Sequence, residues 1–124
     1  MTESTTQTDK ISISIQVEIS LSLISDLLVT ALEGGSNYWI ESIEVVNGDI
    51  YSPTDSLGSG GWNIIVNDVD EGSTSITFSH IKIATQRVAN DFPSIFKNIM
   101  EETYDAGDAD VWFQQCVFFD VVYG

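Results

Sequence analysis

Basic residues are nearly missing from this chain. Its 124 residues contain four Lys and Arg against nineteen Asp and Glu, which gives a formal net charge of −15. Between Lys10 and Lys82 there is no basic residue but ten carboxylates, and no basic residue follows Lys97. Because nucleic-acid affinity depends on Lys and Arg that neutralise phosphates, the composition argues against direct binding to DNA, RNA or an anionic membrane. It favours a basic protein surface as the partner.

Cysteine, histidine and long apolar runs are also scarce. Cys116 is the single cysteine, so no internal disulfide can form, and this favours a reducing compartment. His80 is the single histidine, which leaves too few ligands for a zinc site. No apolar run approaches the ~18 residues of a membrane span, and residues 1–10 lack the basic and apolar regions of a signal peptide. We therefore expect a cytoplasmic chain with no metal and no other cofactor.

Apolar side chains are abundant enough for a core. The hydrophobic fraction is 43% and the aromatic fraction 10%, so the composition is that of a folded protein rather than an acidic disordered tail. The length favours a single domain. We expect residues 1–10 to form a flexible polar tail and residues 11–124 to form the domain.

Periodicity and turn residues predict an α+β fold. The apolar residues alternate along 11–19 and recur at helical spacing along 21–33. The predicted strands are 11–19, 38–46, 62–67 and 74–78, and the predicted helices are 21–33, 80–90, 93–102 and one from 108 onward. Ser20, Ser79 and Asp108 are the expected N-caps of three helices. The order β-α-β-β-β-α-α-α indicates a small, mainly antiparallel sheet covered by helices on one face.

Two groups of carboxylates are the main candidates for a functional surface. Neighbouring carboxylates on a helix lie about 5–6 Å apart, a spacing similar to that of successive phosphates on a nucleic-acid strand. A fixed array could therefore occupy a basic groove, although a solvated acidic face is the simpler interpretation. The candidate partner-binding residues are Asp68, Asp70, Glu71, Glu101, Glu102, Asp105, Asp108 and Asp110.

Other chemistries fit the sequence less well. Calcium loops starting at Asp68 or Asp105 would place Ser79 or Cys116 at the twelfth position, where a carboxylate is required. The glycine-rich run 57–62 leads into a strand and lacks the lysine of a phosphate loop. Cys116 lies on an apolar helix face, where it is expected to pack as a small side chain. No catalytic motif is present, so the chain is not expected to be an enzyme.

Three aromatic residues offer an alternative site. If Tyr38, Trp39 and Trp62 were exposed beside the glycines, they would form a pocket able to stack a small ligand. Core packing is the simpler interpretation of these side chains.

Two segments resemble a family of small acidic proteins encoded in bacteriophages and prophages. The first reads ALEGGSNYW over residues 31–39, and the second reads DADVWFQQCVFFDVVYG over residues 108–124. The family pattern has Gly where this chain has Phe119. The resemblance implies a phage protein acting in the host cytoplasm, where small acidic proteins often counter host defences, and it carries over no catalytic residue.

These observations lead to two main functional hypotheses. The first is an anti-defence inhibitor, such as an anti-CRISPR or a restriction inhibitor, that blocks a host nucleic-acid-binding protein by acting as a DNA mimic. The second is a ligand-binding module, an oligomeric sponge for a nucleotide signal that uses the aromatic pocket. Adaptation to high salt is a third explanation for the acid excess. The apolar ending 117–123 also predicts a homodimer.

Overall fold

A three-stranded antiparallel sheet and four α-helices make up the fold of residues 9–54 and 61–124, which are the residues described by the computed structural model. The elements in chain order are α1 (Leu21–Thr30), a π-helical turn (Ala31–Gly35), β1 (Ile40–Asn47), β2 (Asn63–Asp68), β3 (Ser73–Thr77), α2 (Phe78–Asp91), α3 (Pro93–Met100) and α4 (Ala106–Phe118). The predicted α+β class is confirmed. The glycine-rich run and the predicted tail fall largely outside the described residues.

The sheet has one apolar and one polar face. Its order is β1-β2-β3, and the partners Ile43↔Val66 and Ile64↔Ile76 set the register. Ile64, Val66 and Ile76 are fully buried against the helices. The opposite face is mostly polar, and Asn67 there donates to Ser42 Oγ and to Glu44 Oε2, both at 3.0 Å. This alternation follows from the period of two along a strand that is covered on one side only.

Helix α1 begins where the sequence predicts, and its regular α-helical part ends at Thr30, three residues before the predicted end. Ser20 Oγ accepts a hydrogen bond from the backbone N–H of Leu23 at 3.1 Å, which satisfies one free donor of the first turn. The helix widens into the π-helical turn and ends at Gly35. A Cβ at Gly35 would collide with the carbonyl oxygen of Ala106, so glycine is needed there for the close approach of α4.

Two N-caps differ from the prediction. Helix α2 is capped by Thr77 instead of Ser79, and the backbone N–H of Thr77 donates to His80 Nδ1 at 3.0 Å. Helix α4 is capped by Asp105, three residues before Asp108. In both cases the third residue of the helix returns a hydrogen bond to the cap, and this reciprocal pair fixes the start of the helix.

The predicted first strand is wrong. Residues 11–19, which we call the N-terminal arm, belong to no helix or strand and pair with no strand in the described part of the chain. The side chains of Ile13 and Ile15 are 78% and 80% exposed. Alternation of apolar residues shows that a segment could cover an apolar surface, but a strand forms only where a neighbour supplies backbone partners. No such neighbour lies beside the arm among the described residues.

The core lies between the sheet and α1, α2 and α4. Its largest fully buried side chains are Trp39, Trp112 and Phe113. Cys116 is buried among them, as predicted, and burial raises the pKa of its thiol. None of the helices in the described residues is long and apolar enough to cross a membrane.

Candidate functional site

The most elaborate polar cluster surrounds Asp110, a buried carboxylate on α4. Asp110 is 8% exposed although it belongs to the predicted acidic surface. Its Oδ1 accepts hydrogen bonds from Ser36 Oγ and Trp39 Nε1, both at 2.8 Å. Its Oδ2 accepts from Tyr38 OH at 2.7 Å and from Gln114 Nε2 at 3.1 Å. We call these five residues the Asp110 network.

The turn after the π-helix brings three of the four donors to Asp110. The backbone N–H of Ser36 donates to the carbonyl of Ala31 at 2.8 Å, and that of Trp39 donates to the carbonyl of Ser36 at 3.2 Å. These bonds fold residues 36–39 compactly over α4, so the three side chains converge on one carboxylate. Burial raises the pKa of Tyr38, and its hydrogen bond to Asp110 raises it further.

The fourth donor, Gln114, also holds the end of the chain. Its Oε1 accepts from the backbone N–H groups of Val122 and Tyr123 at 2.7 and 2.8 Å, and its Nε2 donates to the Tyr123 carbonyl at 3.1 Å. The ring of Tyr123 stacks on Trp39 with centroids 5.5 Å apart and an interplanar angle of 3°. Residues 119–124, the C-terminal segment, are thus fixed without belonging to a helix or strand.

The Asp110 network joins segment 31–39 to segment 108–124. Residues 36–39 supply three donors, and residues 108–124 supply Asp110, Gln114 and Tyr123. A carboxylate needs compensation when it is buried, and here neutral donors provide it in place of a cation. Both segments therefore help to hold the fold together.

Phe119 occupies a position after the end of a helix where glycine is the residue most often found. Its φ of 55° is left-handed, and it forms the C-cap of α4. Glycine adopts this conformation without strain, whereas other residues are disfavoured there by about 1 kcal/mol or more. The Phe119 ring stacks on His80 at 5.6 Å and lies 6.0 Å below the Arg87 guanidinium. These contacts offset the strain.

Asp68 is the second buried member of the predicted acidic surface. It is 6% exposed, and its Oδ1 accepts from the backbone N–H groups of Asp70 at 2.8 Å and Gly72 at 3.1 Å. A Cβ at Gly72 would collide with this carboxylate. Asp68 thus shapes the turn between β2 and β3. Its neighbour Asp70 is exposed and accepts from Tyr123 OH at 2.7 Å.

That hydrogen bond links the C-terminal segment to the hairpin. The bond to Asp70 is the main reason why the pKa of Tyr123 rises to about 12, with partial burial and the Asp68 charge contributing. Tyr51 behaves in the same way, since its bond to Glu33 at 2.6 Å and partial burial raise its pKa to about 12. Tyrosine hydroxyls therefore stabilise carboxylates in a chain with few bases.

Asp105 and Asp108 serve the start of α4. Asp105 Oδ1 accepts from the N–H of Asp108 at 2.8 Å, while Asp108 Oδ2 accepts from the N–H of Asp105 at 3.2 Å. Asn98 Nδ2 also donates to Asp108 at 3.1 Å. Asp105 remains exposed and Asp108 is half-buried. A structural role accounts for both carboxylates, although Asp105 still contributes charge to the surface.

The remaining predicted acids are exposed. Glu71 and Glu102 both have left-handed backbone conformations, with φ of 68° and 57°, at two tight turns. Glu101 lies 3.9 Å from Lys97 Nζ in an exposed ion pair, which contributes little to stability. The exposed carboxylates among the described residues are Asp9, Glu18, Asp26, Glu33, Glu41, Glu44, Asp49, Asp70, Glu71, Asp91, Glu101, Glu102, Asp105 and Asp120.

The aromatic residues of the alternative pocket do not line an open site in this structure. Trp39 and Trp62 are buried, and Trp62 Nε1 donates to the Asp49 carbonyl at 3.0 Å. Tyr38 is 53% exposed, but its hydroxyl is bonded to Asp110. The two indoles therefore contribute to the core and are not accessible as stacking walls.

Sequence reasoning missed Ser36, Gln114 and Tyr123 as parts of one cluster. One signal was available, because Asp110 and Gln114 are four residues apart and so share a face of α4. The adjoining positions Phe113 and Val117 are apolar, which marks that side of the helix as buried. In the described residues no three His, Cys, Asp or Glu side chains are placed to hold a metal ion.

Comparisons with protein-family models, curated proteins and solved structures find no match to this chain.

Proposed function

We propose that this protein is a non-enzymatic, phage-encoded anti-defence inhibitor that occupies the nucleic-acid-binding groove of a basic host protein. One observation carries the proposal. Fourteen carboxylates are exposed among the described residues, while the whole chain has only four Lys and Arg. Most of this surface charge cannot be neutralised within the chain, so it generates a field that attracts a basic partner and speeds its docking.

The fold supports mimicry by holding acidic side chains at defined positions. Glu71 lies in the turn of a hairpin that Asp68 braces from inside, and Glu102 lies in the turn that follows α3. Ordered carboxylates lose less conformational entropy on binding than those of a disordered acidic tail, so the same number of charges binds more tightly.

The proposed contact surface is smaller than the sequence predicted. Asp68 and Asp110 are buried and do not contribute to it, and Asp108 is half-buried. The exposed members are Asp70, Glu71, Glu101, Glu102 and Asp105. Each exposed ion pair with a partner would supply only about 0–1 kcal/mol, so binding depends on several carboxylates acting together.

The phage setting rests on the sequence resemblance of residues 31–39 and 108–124. These segments supply the residues of the Asp110 network. We propose that target choice depends on the exposed acids, which can vary without disturbing that network.

The test compares two variants with equal charge. The first changes Asp70→Asn, Glu71→Gln, Glu101→Gln and Glu102→Gln, and the second changes Glu18→Gln, Asp26→Asn, Glu41→Gln and Asp91→Asn. Each variant and the native chain are immobilised and exposed to the same bacterial lysate at low salt. Proteins captured by the native chain should be basic and nucleic-acid-binding, and duplex DNA or high salt should release them.

We expect the first variant to lose this capture and the second to keep most of it. Equal loss in both variants would indicate a general charge effect without a defined surface. Full capture by a folded first variant would contradict the proposal. In a gel shift, the pure native chain should leave duplex DNA unretarded.

A further inference from the structure

The N-terminal arm and the outer edge of strand β1 are complementary features. The arm has alternating apolar residues, but in the described residues it pairs with no strand. Among those same residues, β1 has a neighbouring strand, β2, on one side only. An exposed edge presents a row of backbone N–H and C=O groups that another extended segment can pair with.

The side chains of the arm suit the two faces of the sheet. The arm presents Ile11, Ile13 and Ile15 on one side and Ser12 and Ser14 on the other. The apolar face of β1 ends at Val45, which is 48% exposed although its partner on β2, Ile64, is buried.

The polar face of the sheet carries small polar groups together with Glu44, which accepts a hydrogen bond from Asn67 at 3.0 Å. Asn67 donates to Ser42 Oγ, and Asn63 donates to Ser75 Oγ at 3.0 Å. A fourth strand with Ile on the inner side and Ser on the outer side would extend both faces without burying a charge.

Within one chain the arm lies away from this edge. Its residues line a cleft of about 820 Å³ together with side chains of α2 and α3, among them Ile81 and Phe96. Strand β3 continues directly into α2, and β1 is the opposite edge of the sheet. A second copy of the chain can therefore supply the missing strand.

Charge affects self-association in this region. Two chains with a net charge of −15 repel each other over most of their surfaces. Residues 11–17 carry no ionisable side chain, whereas Glu18 of the arm and Glu41 and Glu44 of β1 are exposed carboxylates. The apolar part of the arm can therefore approach a second copy without bringing a charge, while the three glutamates repel across the contact until salt screens them.

We propose that the protein forms a twofold dimer in which each arm adds as an edge strand to β1 of the other copy. Each copy then contributes the nine residues 11–19 and the eight residues of β1, close to the roughly 20 residues per side of a standard interface. The contact is isologous, since each chain gives an arm and receives one.

The oligomeric state of the full chain is the first test. Sedimentation equilibrium should show a dimer that becomes tighter with added salt, because salt screens the repulsion. An acidic contact with a basic partner responds in the opposite way, so this proposal and the proposed function fail independently. A monomer at all concentrations and salt levels would overturn the dimer.

Variants then locate the interface. Val45 and Ile83 are each 48% exposed, but only Val45 lies on β1. Ile15→Asp and Val45→Asp should each weaken the dimer by at least about 100-fold, since each places a charge against apolar side chains. Ile83→Asp should leave its dissociation constant within about threefold. Equal weakening by all three would overturn the assignment.

Cross-linking distinguishes arm exchange from pairing between two arms. Chains carrying Ser14→Cys are mixed with chains carrying Ser42→Cys and treated with a thiol cross-linker of about 10 Å span, which tolerates a register shift of two residues. We expect a cross-linked heterodimer in the mixture and none in either variant alone. The native chain, with Cys116 buried, is the control for background reaction. Cross-linking of the Ser14→Cys chain with itself would overturn the proposal.

Discussion

The N-terminal arm and the C-terminal segment are both apolar, and neither belongs to a helix or strand, yet only one is fixed to the domain. Ile13 and Ile15 extend from the surface, whereas Tyr123 stacks on Trp39. The difference lies in the backbone. The side chain of Gln114 supplies an acceptor and a donor to residues 122–123, but no group in the described residues does this for the arm.

Apolar side chains alone are therefore insufficient to dock an extended segment. The segment must also find partners for its backbone N–H and C=O groups, since leaving them unpaired on burial costs more than most side chains return. In the C-terminal segment one amide side chain on a helix acts like a short piece of neighbouring strand. The predictions below test this difference, starting with the group that positions Gln114.

Removal of the Asp110 carboxylate should have the largest effect on stability. Asp110→Ala removes the acceptor of four donors, of which Gln114 keeps another in the Tyr123 carbonyl. We expect a loss of about 4 kcal/mol in the free energy of unfolding. Asp110→Asn keeps one acceptor oxygen, but its new amide NH2 faces the Nε2 donor of Gln114. We expect this variant to lose about 2 kcal/mol in the free energy of unfolding.

Denaturant unfolding measures both changes. The control is Asp26→Ala on exposed α1 surface, which should stay within about 0.5 kcal/mol of the native chain. If Asp110→Ala were equally mild, the network would not hold the fold.

Gln114→Ala should release the C-terminal segment. It removes the hydrogen bonds to Val122 and Tyr123 together with one bond to Asp110, and we expect a loss of about 2–3 kcal/mol. Hydrogen exchange at the Val122 and Tyr123 amides should become fast. Gln115→Ala is the matched control, because Gln115 is buried on the same helix but bonds Arg87. Protected amides in the Gln114 variant would show that stacking alone fixes the segment.

The same contrast explains which parts of the fold could be predicted. Helix α1 and the β2–β3 hairpin depend on neighbours close in sequence, and caps and turn residues marked them correctly. The arm has an equally clear pattern, but a strand also needs a partner, and none lies beside the arm among the described residues. Periodicity does not report the presence of that partner, so the predicted strand was wrong.

The candidate site shows a similar limit. Asp108 and Asp110 are two residues apart on α4, and the sequence analysis predicted both as members of the acidic surface. A separation of two residues places them on different sides of the helix, so one caps the helix end while the other is buried. The role of Asp110 depends on residues 36–39, which only the folded chain brings to α4, whereas Asp108 bonds Asp105 and Asn98, which are close to it in sequence.

Tyr123 should make stability sensitive to alkaline pH. Its pKa is raised from 10.0 to about 12 by the hydrogen bond to Asp70, so the folded state holds this proton more tightly than the unfolded state. The stabilisation is complete below pH 10 and is lost as pH rises from 10 to 12. Thermal unfolding at several pH values should show a smaller alkaline loss for Tyr123→Phe than for the native chain. Identical losses would contradict the role of this bond.

The smallest effect is expected in the arm. Ile15→Ser removes an 80% exposed side chain, so at concentrations where the chain is monomeric the free energy of unfolding should change by no more than about 0.5 kcal/mol. Ile24→Ala on α1 is the buried counterpart, since Ile24 is 5% exposed, and it should lose about 2–5 kcal/mol. Denaturant unfolding at low protein concentration measures both. At high concentration the Ile15→Ser variant should be less stable to denaturant than the native chain if arms are exchanged, because only the dimer buries Ile15. A loss above about 1.5 kcal/mol in the monomer would mean that the arm packs on its own chain. The arm and the C-terminal segment would then differ only in how strongly the domain holds each of them.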